Sequence, residues 1–337
     1  MRRASAIAFV AVLQAVAPAS GATQSAFEPM GPASAELFRL IWLFTALSAV
    51  IWLGVIAVLI TTLVRRDGAR ADPLALDPSA ERRATGWVTI ATAGTAIVLI
   101  GLALLSYFSN RTLAGIGADA SLTIRLTGHQ WWWEVRYENE QPSKVVTTAN
   151  EIHIPTGEPV RLVLASTDVI HSFWVPSLAG KLDLIPGHQN VLEFRADKSG
   201  VYRGQCAEFC GFQHAHMAIM IIAEPRPEFD AWLEHQLQPA AQPASAEEQA
   251  GHDRFMNRPC VMCHKIGGTA AGGTVGPDLT HVSSRTTLAA GTLPMDEPSL
   301  AAWITDPQSF KPGAHMPIVD LSGDELSSIA AYLGNLK

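Results

Sequence analysis

The chain has 337 residues, with 24 Lys or Arg against 31 Asp or Glu and a formal charge of −7. At 48% hydrophobic and a mean hydropathy of +0.17 it is too apolar for a wholly soluble protein, and its length allows two or three domains. The mild negative charge, with no basic run, excludes a nucleic-acid binder. The four cysteines all fall in two short motifs, which leaves none for a structural disulfide.

Met1-Arg-Arg opens an apolar run from Ile7 to Val16, followed by small residues to Ala22. That pattern predicts a secretory signal over 1–22, cut after Ala22, because the run is too short to span a bilayer. Leu40–Val64 and Trp87–Phe108 carry no charge and are long enough to cross one. Arg65, Arg66, Arg70, Arg82 and Arg83 lie between them and place that loop in the cytoplasm. A two-helix transmembrane hairpin is therefore expected over 36–110, with everything after it on the outer side. The residues before Trp87 are Ala84-Thr85-Gly86; Glu81 is the nearest carboxylate upstream, expected in extended loop and given no role.

From Ser121 the pattern alternates, in Leu122-Thr-Ile-Arg-Leu, Val160-Arg-Leu-Val-Leu and Val191-Leu-Glu-Phe. Pro155-Thr-Gly157, Pro186-Gly187 and Ser199-Gly200 punctuate these runs, so an all-β sandwich is expected over 115–225. In Trp131-Trp132-Trp133 a period of two puts the outer pair on one face, so at least one of the three must be more exposed than core packing wants.

Within that domain, Cys206-Ala-Glu-Phe-Cys210-Gly-Phe-Gln-His214-Ala-His-Met217 gathers two thiols, an imidazole and a thioether in twelve residues. Soft sulfur and imidazole favour copper, and two cysteines leave room for two bridged coppers. His214 supplies one nitrogen, His171 is the best candidate for the second, Met217 is a weak ligand, and the Glu208 carbonyl suits the other metal. A structural zinc site or a disulfide are the competing readings; Met at this offset is unusual for zinc, and a disulfide leaves His214 and Met217 without a role. His129, His153, His188 and His216 have no evident partner and are read as non-ligands.

Residues 226–246 are rich in Pro, Ala and Gln and read as a linker, with one amphipathic piece from Phe229 to Leu237. Cys260-Val-Met-Cys263-His264 is a c-type haem attachment motif with His264 as the proximal ligand. A thioredoxin-like pair would need a βαβ context and zinc a second cysteine pair, and neither is present. The sixth iron ligand is open among Met316, Met295, His281 and His315. Leu326, Ile329, Ala330 and Leu333 form one helical face after Asp324 and Glu325, with Gly251 and Phe255 packing near Tyr332. Residues 247–337 carry six Lys or Arg against ten Asp or Glu, a sign that steers a basic donor or simply solvates the face.

Five stretches carry a family resemblance: Gly128-His-Gln-Trp131-Trp-Trp133, Asp168-Val-Ile-His171-Ser, Val175-Pro-Ser-Leu, Asp183-Leu-Ile-Pro186-Gly and Gly204-Gln-Cys206-Ala-Glu-Phe-Cys210-Gly. Residues 115–225 resemble the copper domain of cytochrome c oxidase subunit II. Residues 247–337 resemble a small class I cytochrome c, with Gly276-Pro277-Asp-Leu279 matching the loop that supports the proximal His. The resemblance implies a multi-domain chain: a transmembrane hairpin, an all-β cupredoxin Greek-key barrel and a small all-α cytochrome c domain.

It further implies a dinuclear copper A centre on His171, Cys206, the Glu208 carbonyl, Cys210, His214 and Met217, and haem c on Cys260, Cys263, His264 and axial Met316. Trp131 becomes the point of electron entry, and the Glu208 side chain reaches a magnesium at the boundary with subunit I. The expected partners are oxidase subunits I and III, membrane lipid, and an external donor, cytochrome c or another periplasmic carrier. The chain would act in the bacterial inner membrane with both redox domains on the periplasmic face, as a non-catalytic subunit of the oxygen-reducing complex. The family's usual glutamate just before the second span is absent, which leaves proton entry unassigned. A copper A component of a nitrogen-oxide reductase and a copper chaperone are the competing functions.

Overall fold

The computed structural model describes residues 24–65, 77–117 and 119–337. The expected signal segment and Arg66 and Arg70 of the basic loop lie outside the described residues.

Helix α1, Pro32–Val64, and helix α2, Pro78–Ala114, have 33 and 37 residues. At about 1.5 Å per residue each exceeds the roughly 30 Å hydrocarbon core. Trp42, Trp52, Trp87 and Phe108 stand exposed along them, as lipid-facing side chains do. Asp77 caps α2 ten residues before Trp87, its carboxylate accepting from the Ser79 amide at 2.8 Å. Glu81 therefore sits in the first turn of a helix and not in extended loop. At the opposite end of the hairpin, Ser109 Oγ donates to Glu36 Oε1 at 2.5 Å and Ser34 Oγ donates to the Ser177 carbonyl at 2.7 Å. A side chain at Gly31 would meet the Arg195 carbonyl oxygen at 2.1 Å, so glycine is what lets the anchor seat on the next domain.

That domain is a β-barrel of two main sheets. Strands β1 Leu122–His129, β2 Trp132–Tyr137, β3 Val146–Ala149, β4 Glu151–Pro155 and β5 Val160–Ser166 are followed by the short β6 His171–Phe173 and β7 Leu182–Leu184. Then come β8 Asn190–Phe194, β9 Gly200–Gln205 and β10 Ala218–Glu224. One sheet runs β3-β2-β1-β5-β8, the other β4-β10-β9, and β6 pairs with β7. The alternation expected from sequence is kept: Ile124 and Leu126 of β1 and Leu162 and Leu164 of β5 are fully buried, while their neighbours face out. Parallel pairing of β1 with β5 and of β4 with β10 gives the crossed connections of a Greek-key barrel.

The stretch after β10 is not open linker throughout. Helix α3, Arg226–Gln236, packs Phe229 and Trp232 on the barrel, and Trp232 stacks on His153 at 4.0 Å. The last domain is helical. Its helices α4 Ala246–Met256, α5 Cys260–Cys263, α6 Glu297–Thr305, α7 Pro307–Phe310 and α8 Gly323–Gly334 surround a core of Phe255, Ile266, Leu300, Ile329, Tyr332 and Leu333. A side chain at Gly251 would lie 1.8 Å from the Ser328 carbonyl oxygen, so the α4–α8 crossing requires glycine there.

Candidate metal and haem centres

The loop between β9 and β10 folds back on itself under Cys206 and Cys210, whose sulfurs lie 3.7 Å apart. His171 at the start of β6 brings Nδ1 to 3.9 Å from Cys206 Sγ, and His214 brings Nδ1 to 3.6 Å from Cys210 Sγ. Met217 Sδ lies 3.9 Å from Cys210 Sγ, and the Glu208 carbonyl oxygen 3.3 Å from Cys206 Sγ. All six expected donors thus converge, two sulfurs in the middle and one imidazole nitrogen on either side. His171, both cysteines and Met217 are buried.

The surroundings hold this set in place. His171 Nε2 meets Asp168 Oδ1 at 2.9 Å, which orients the ring with Nδ1 toward the sulfur. A Cβ at Gly128 would sit 2.7 Å from the His171 ring, so only glycine leaves room for it. Burial alone would push the Asp168 carboxyl up, but bonds from His171, Val169 and Gln130 hold it low. The hydrogen bond with the Cys210 thiol lowers Cys206, and the same bond, with burial, pushes Cys210 up. A bound metal would hold both sulfurs as thiolates. This soft S₂N₂ set with a thioether fits copper.

The Glu208 carboxylate points out to Lys181, 3.5 Å away. His153 pairs with Glu224 at 2.9 Å and His216 with Gln213 at 2.8 Å, partners that sequence alone did not reveal.

In the helical domain a cavity of about 680 Å³ opens between α5, α6 and the loop that carries Met316. Cys260, Cys263, His264 and Met316 all line it. His264 Nδ1 lies 2.8 Å from the Pro277 carbonyl, leaving Nε2 for a metal. A Cβ at Gly276 would be 2.7 Å from the His264 ring. Among the rival sixth ligands, Met295 does not line the cavity and both ring nitrogens of His281 are occupied, by the Lys337 and Gln238 carbonyls. His315 does line it, beside Met316. The paired thiols, the oriented imidazole and the volume fit a covalently held haem.

The two sites share a wall. His129, Gln130, Trp131 and Trp132 of the barrel line the haem-domain cavity. Trp132 is the half-buried member that the alternation expects, Trp133 is fully buried, and Trp131 is only 7% exposed. It lies in the turn between β1 and β2, outside the period-two pattern, and the helical domain covers it. Its Nε1 donates to the Cys210 carbonyl at 2.9 Å, and its ring centroid lies 6.4 Å from that of His315. The seam is polar: Lys311 Nζ donates to the carbonyls of Trp131 at 2.7 Å and Ala289 at 3.1 Å, and Gln213 Nε2 donates to the Pro312 carbonyl at 2.7 Å. Buried Glu151 accepts from the Thr286 amide at 2.7 Å, the Thr286 hydroxyl and the Thr287 amide. No sequence motif marks these seam residues.

Barrel, anchor and helical domain together define a membrane-anchored redox protein with a sulfur-rich metal site and a c-type haem site in contact. Residues 122–224 match the family described as cytochrome C oxidase subunit II, periplasmic domain, and residues 248–337 match cytochrome c. The chain is 41% identical over 220 residues to a cytochrome c oxidase subunit 2 of Alkalihalophilus pseudofirmus, covering 65% of this chain and 62% of that relative. It is 31% identical over 260 residues to the one of Bacillus sp. strain PS3, covering 72% and 71%. The solved periplasmic domain of cytochrome oxidase subunit II of Bradyrhizobium japonicum is 34% identical, with 35% of this chain and 94% of that one covered and a TM-score of 0.33. The chain belongs to the cytochrome c oxidase subunit 2 family and carries a cytochrome c domain at its C-terminal side, which together imply copper and haem c.

Proposed function

We propose that the chain is the electron-input subunit of a haem-copper terminal oxidase, taking electrons from an external periplasmic carrier such as cytochrome c and delivering them to the oxygen-reducing subunit I. The observation that carries this reading is Trp131, whose indole touches the Cys210 carbonyl on one side and lines the haem-domain cavity on the other. His171, Cys206, Cys210, His214, Met217 and the Glu208 carbonyl are the residues that would hold a dinuclear copper A centre. Cys260, Cys263 and His264 would hold haem c, with Met316 as the sixth ligand. When bound, these groups each take up and release single electrons.

The residues supply what such transfer needs. Ligands fixed by a rigid barrel move little between oxidation states, and buried Trp131 gives direct contact between the sites. His/Met ligation raises the iron potential, which suits a donor to copper. Phe209, 77% exposed beside His214, gives the copper side an apolar surface for subunit I, with subunit III completing the complex. A magnesium at Glu208 would compete with Lys181 and draw its other ligands from another subunit.

Arg65, Arg82 and Arg83 cluster at the end of the hairpin away from the barrel, which supports a bacterial inner-membrane orientation with both redox domains in the periplasm. Family membership does not favour the nitrogen-oxide reductase reading. The haem domain speaks against a chaperone, which has no use for one.

The test is electron paramagnetic resonance with metal and haem counts on the detergent-purified full chain. An unpaired electron shared over two copper nuclei, with one covalent low-spin haem, is expected. Copper on a single nucleus, or zinc in its place, overturns the assignment.

A further inference from the structure

Six buried side-chain nitrogen or oxygen atoms lack a hydrogen-bond partner among the described residues. Three of them belong to residues that line the haem-domain cavity: Arg285 Nε, Thr287 Oγ1 and His129 Nε2. Buried polar atoms left unpaired cost about 1–3 kcal/mol each, so their concentration in one cavity marks the place of a polar ligand group. The set also has the right charge. Arg285 spends one Nη on the Asp278 carbonyl, and the Glu151 and Asp278 carboxylates attract its charge from beyond ion-pair distance. Burial outweighs that attraction and disfavours the charged form, and an anion in the cavity would relieve it.

His129 is the informative member, because it comes from the other domain. Its Nδ1 lies 2.9 Å from Thr167 Oγ1, while the alternative acceptor for that hydroxyl, the Gly128 carbonyl, is 3.4 Å away. This bond holds the ring so that Nε2 faces the cavity whichever nitrogen carries the proton. The ring is fixed by stacking on Trp132 at 4.4 Å, 8° from parallel. A fixed imidazole nitrogen, a hydroxyl and a buried guanidinium thus face one space.

We infer that the haem site is completed across the domain boundary: the two haem propionates turn toward the copper domain and are received by Arg285 Nε and Thr287 Oγ1 of the haem domain and by His129 Nε2 of the copper domain. This rests on the haem reading above. It adds that the copper domain is part of the haem's binding site and helps set its potential. Donors and a cation on the propionates draw negative charge away from the iron and favour the reduced state. Docking of the two domains then tunes the donor potential as well as the distance.

The test uses the full chain with haem attached and reads the haem c reduction potential, not oxidase activity. Arg285→Gln is expected to lower the potential and to make it depend on pH around neutrality, as released propionates begin to titrate; Arg285→Lys restores most of the charge effect. His129→Leu is expected to lower the potential by a smaller amount. His129→Gln, which can place an amide donor near the lost Nε2, is expected to return it toward the native value, a rescue that a merely structural role would not give.

Covalent haem staining and the copper signal are recorded on every variant. Loss of haem or copper in the unmodified chain would defeat the functional reading itself. If haem is attached and His129→Leu keeps the native potential and pH profile, the propionates do not reach the copper domain and the inference fails. If Arg285→Gln does not mature, the His129 pair alone decides, since that residue lies outside the haem domain.

Discussion

The two redox pockets are built on opposite principles. The candidate copper pocket is assembled by the barrel alone: four of its expected donors are buried, successive donor atoms lie 3.7–3.9 Å apart, and Asp168 and Gly128 hold the critical imidazole. The haem pocket is a cavity of about 680 Å³ lined by core residues such as Phe255, Leu300, Ile304 and Leu333, with three buried polar atoms unpaired. One set of donors is held by its own domain's hydrogen bonds; the other lines a large cavity. The difference predicts that copper can be added to a folded domain, whereas haem contributes to the folding of the other.

The hardest blow to that comparison is to prevent haem attachment. With Cys260 and Cys263 both changed to Ser, α4, α6 and α8 are expected to lose hydrogen-exchange protection, because nothing else fills the cavity. The barrel strands are expected to keep theirs with copper removed. Equal protection in both apo domains would break the contrast. Next in size is Trp131→Phe, which removes the donor to the Cys210 carbonyl but keeps an apolar ring. Both metal spectra are expected to persist while haem-to-copper transfer, followed by stopped flow, slows by an order of magnitude or more.

Asp168→Ala sharpens the copper side. It removes the carboxylate that orients His171 and is expected to weaken copper binding about 10–100-fold in a chelator titration, with the haem untouched. Glu151→Gln probes the seam. It replaces a charged acceptor of three Thr286 and Thr287 donors with a neutral one and is expected to weaken docking by about 1–2 kcal/mol. The Thr286 and Thr287 amides would then exchange faster while both metal spectra stay native.

The copper pocket was legible because five of its six donors lie within twelve residues, and His171 was found through its own short motif. The barrel was legible from alternation, and helix α8 from its face of Ile329, Ala330 and Leu333. What escaped was everything that depends on two domains meeting. Trp131 reads as an exposed aromatic until the loop around Lys311 and Gly313 covers it. His129 reads as partnerless because its environment comes from Thr167, Trp132 and the haem domain together. Helix α3 was half-seen, since Phe229 and Trp232 give it one apolar face but no motif says that Tyr137 and His153 receive it.

The smallest expected effect concerns the rim of the haem domain. Ser322 and Glu325 cap the start of α8 reciprocally, and Glu325 also pairs with Arg258. Arg258 first, and the Ser322 amide after it, hold the Glu325 carboxyl at about 2. Its folded value is depressed, so its contribution is fully present above the ordinary carboxylate range near pH 4.5 and is lost as pH falls toward about 2. Glu325→Gln is therefore expected to lower the haem domain's melting temperature slightly at neutral pH and to flatten its decline on acidification. The carboxylate is exposed and its ion pair is screened by water, so the shift stays small with haem in place. If haem supplies most of this domain's cohesion, the same substitution has a larger effect in the Cys260→Ser, Cys263→Ser chain, where α8 has lost its central partner. An equal effect with and without haem would mean that the helix pair α4–α8 stands by itself, and the contrast between the two pockets would narrow to their chemistry.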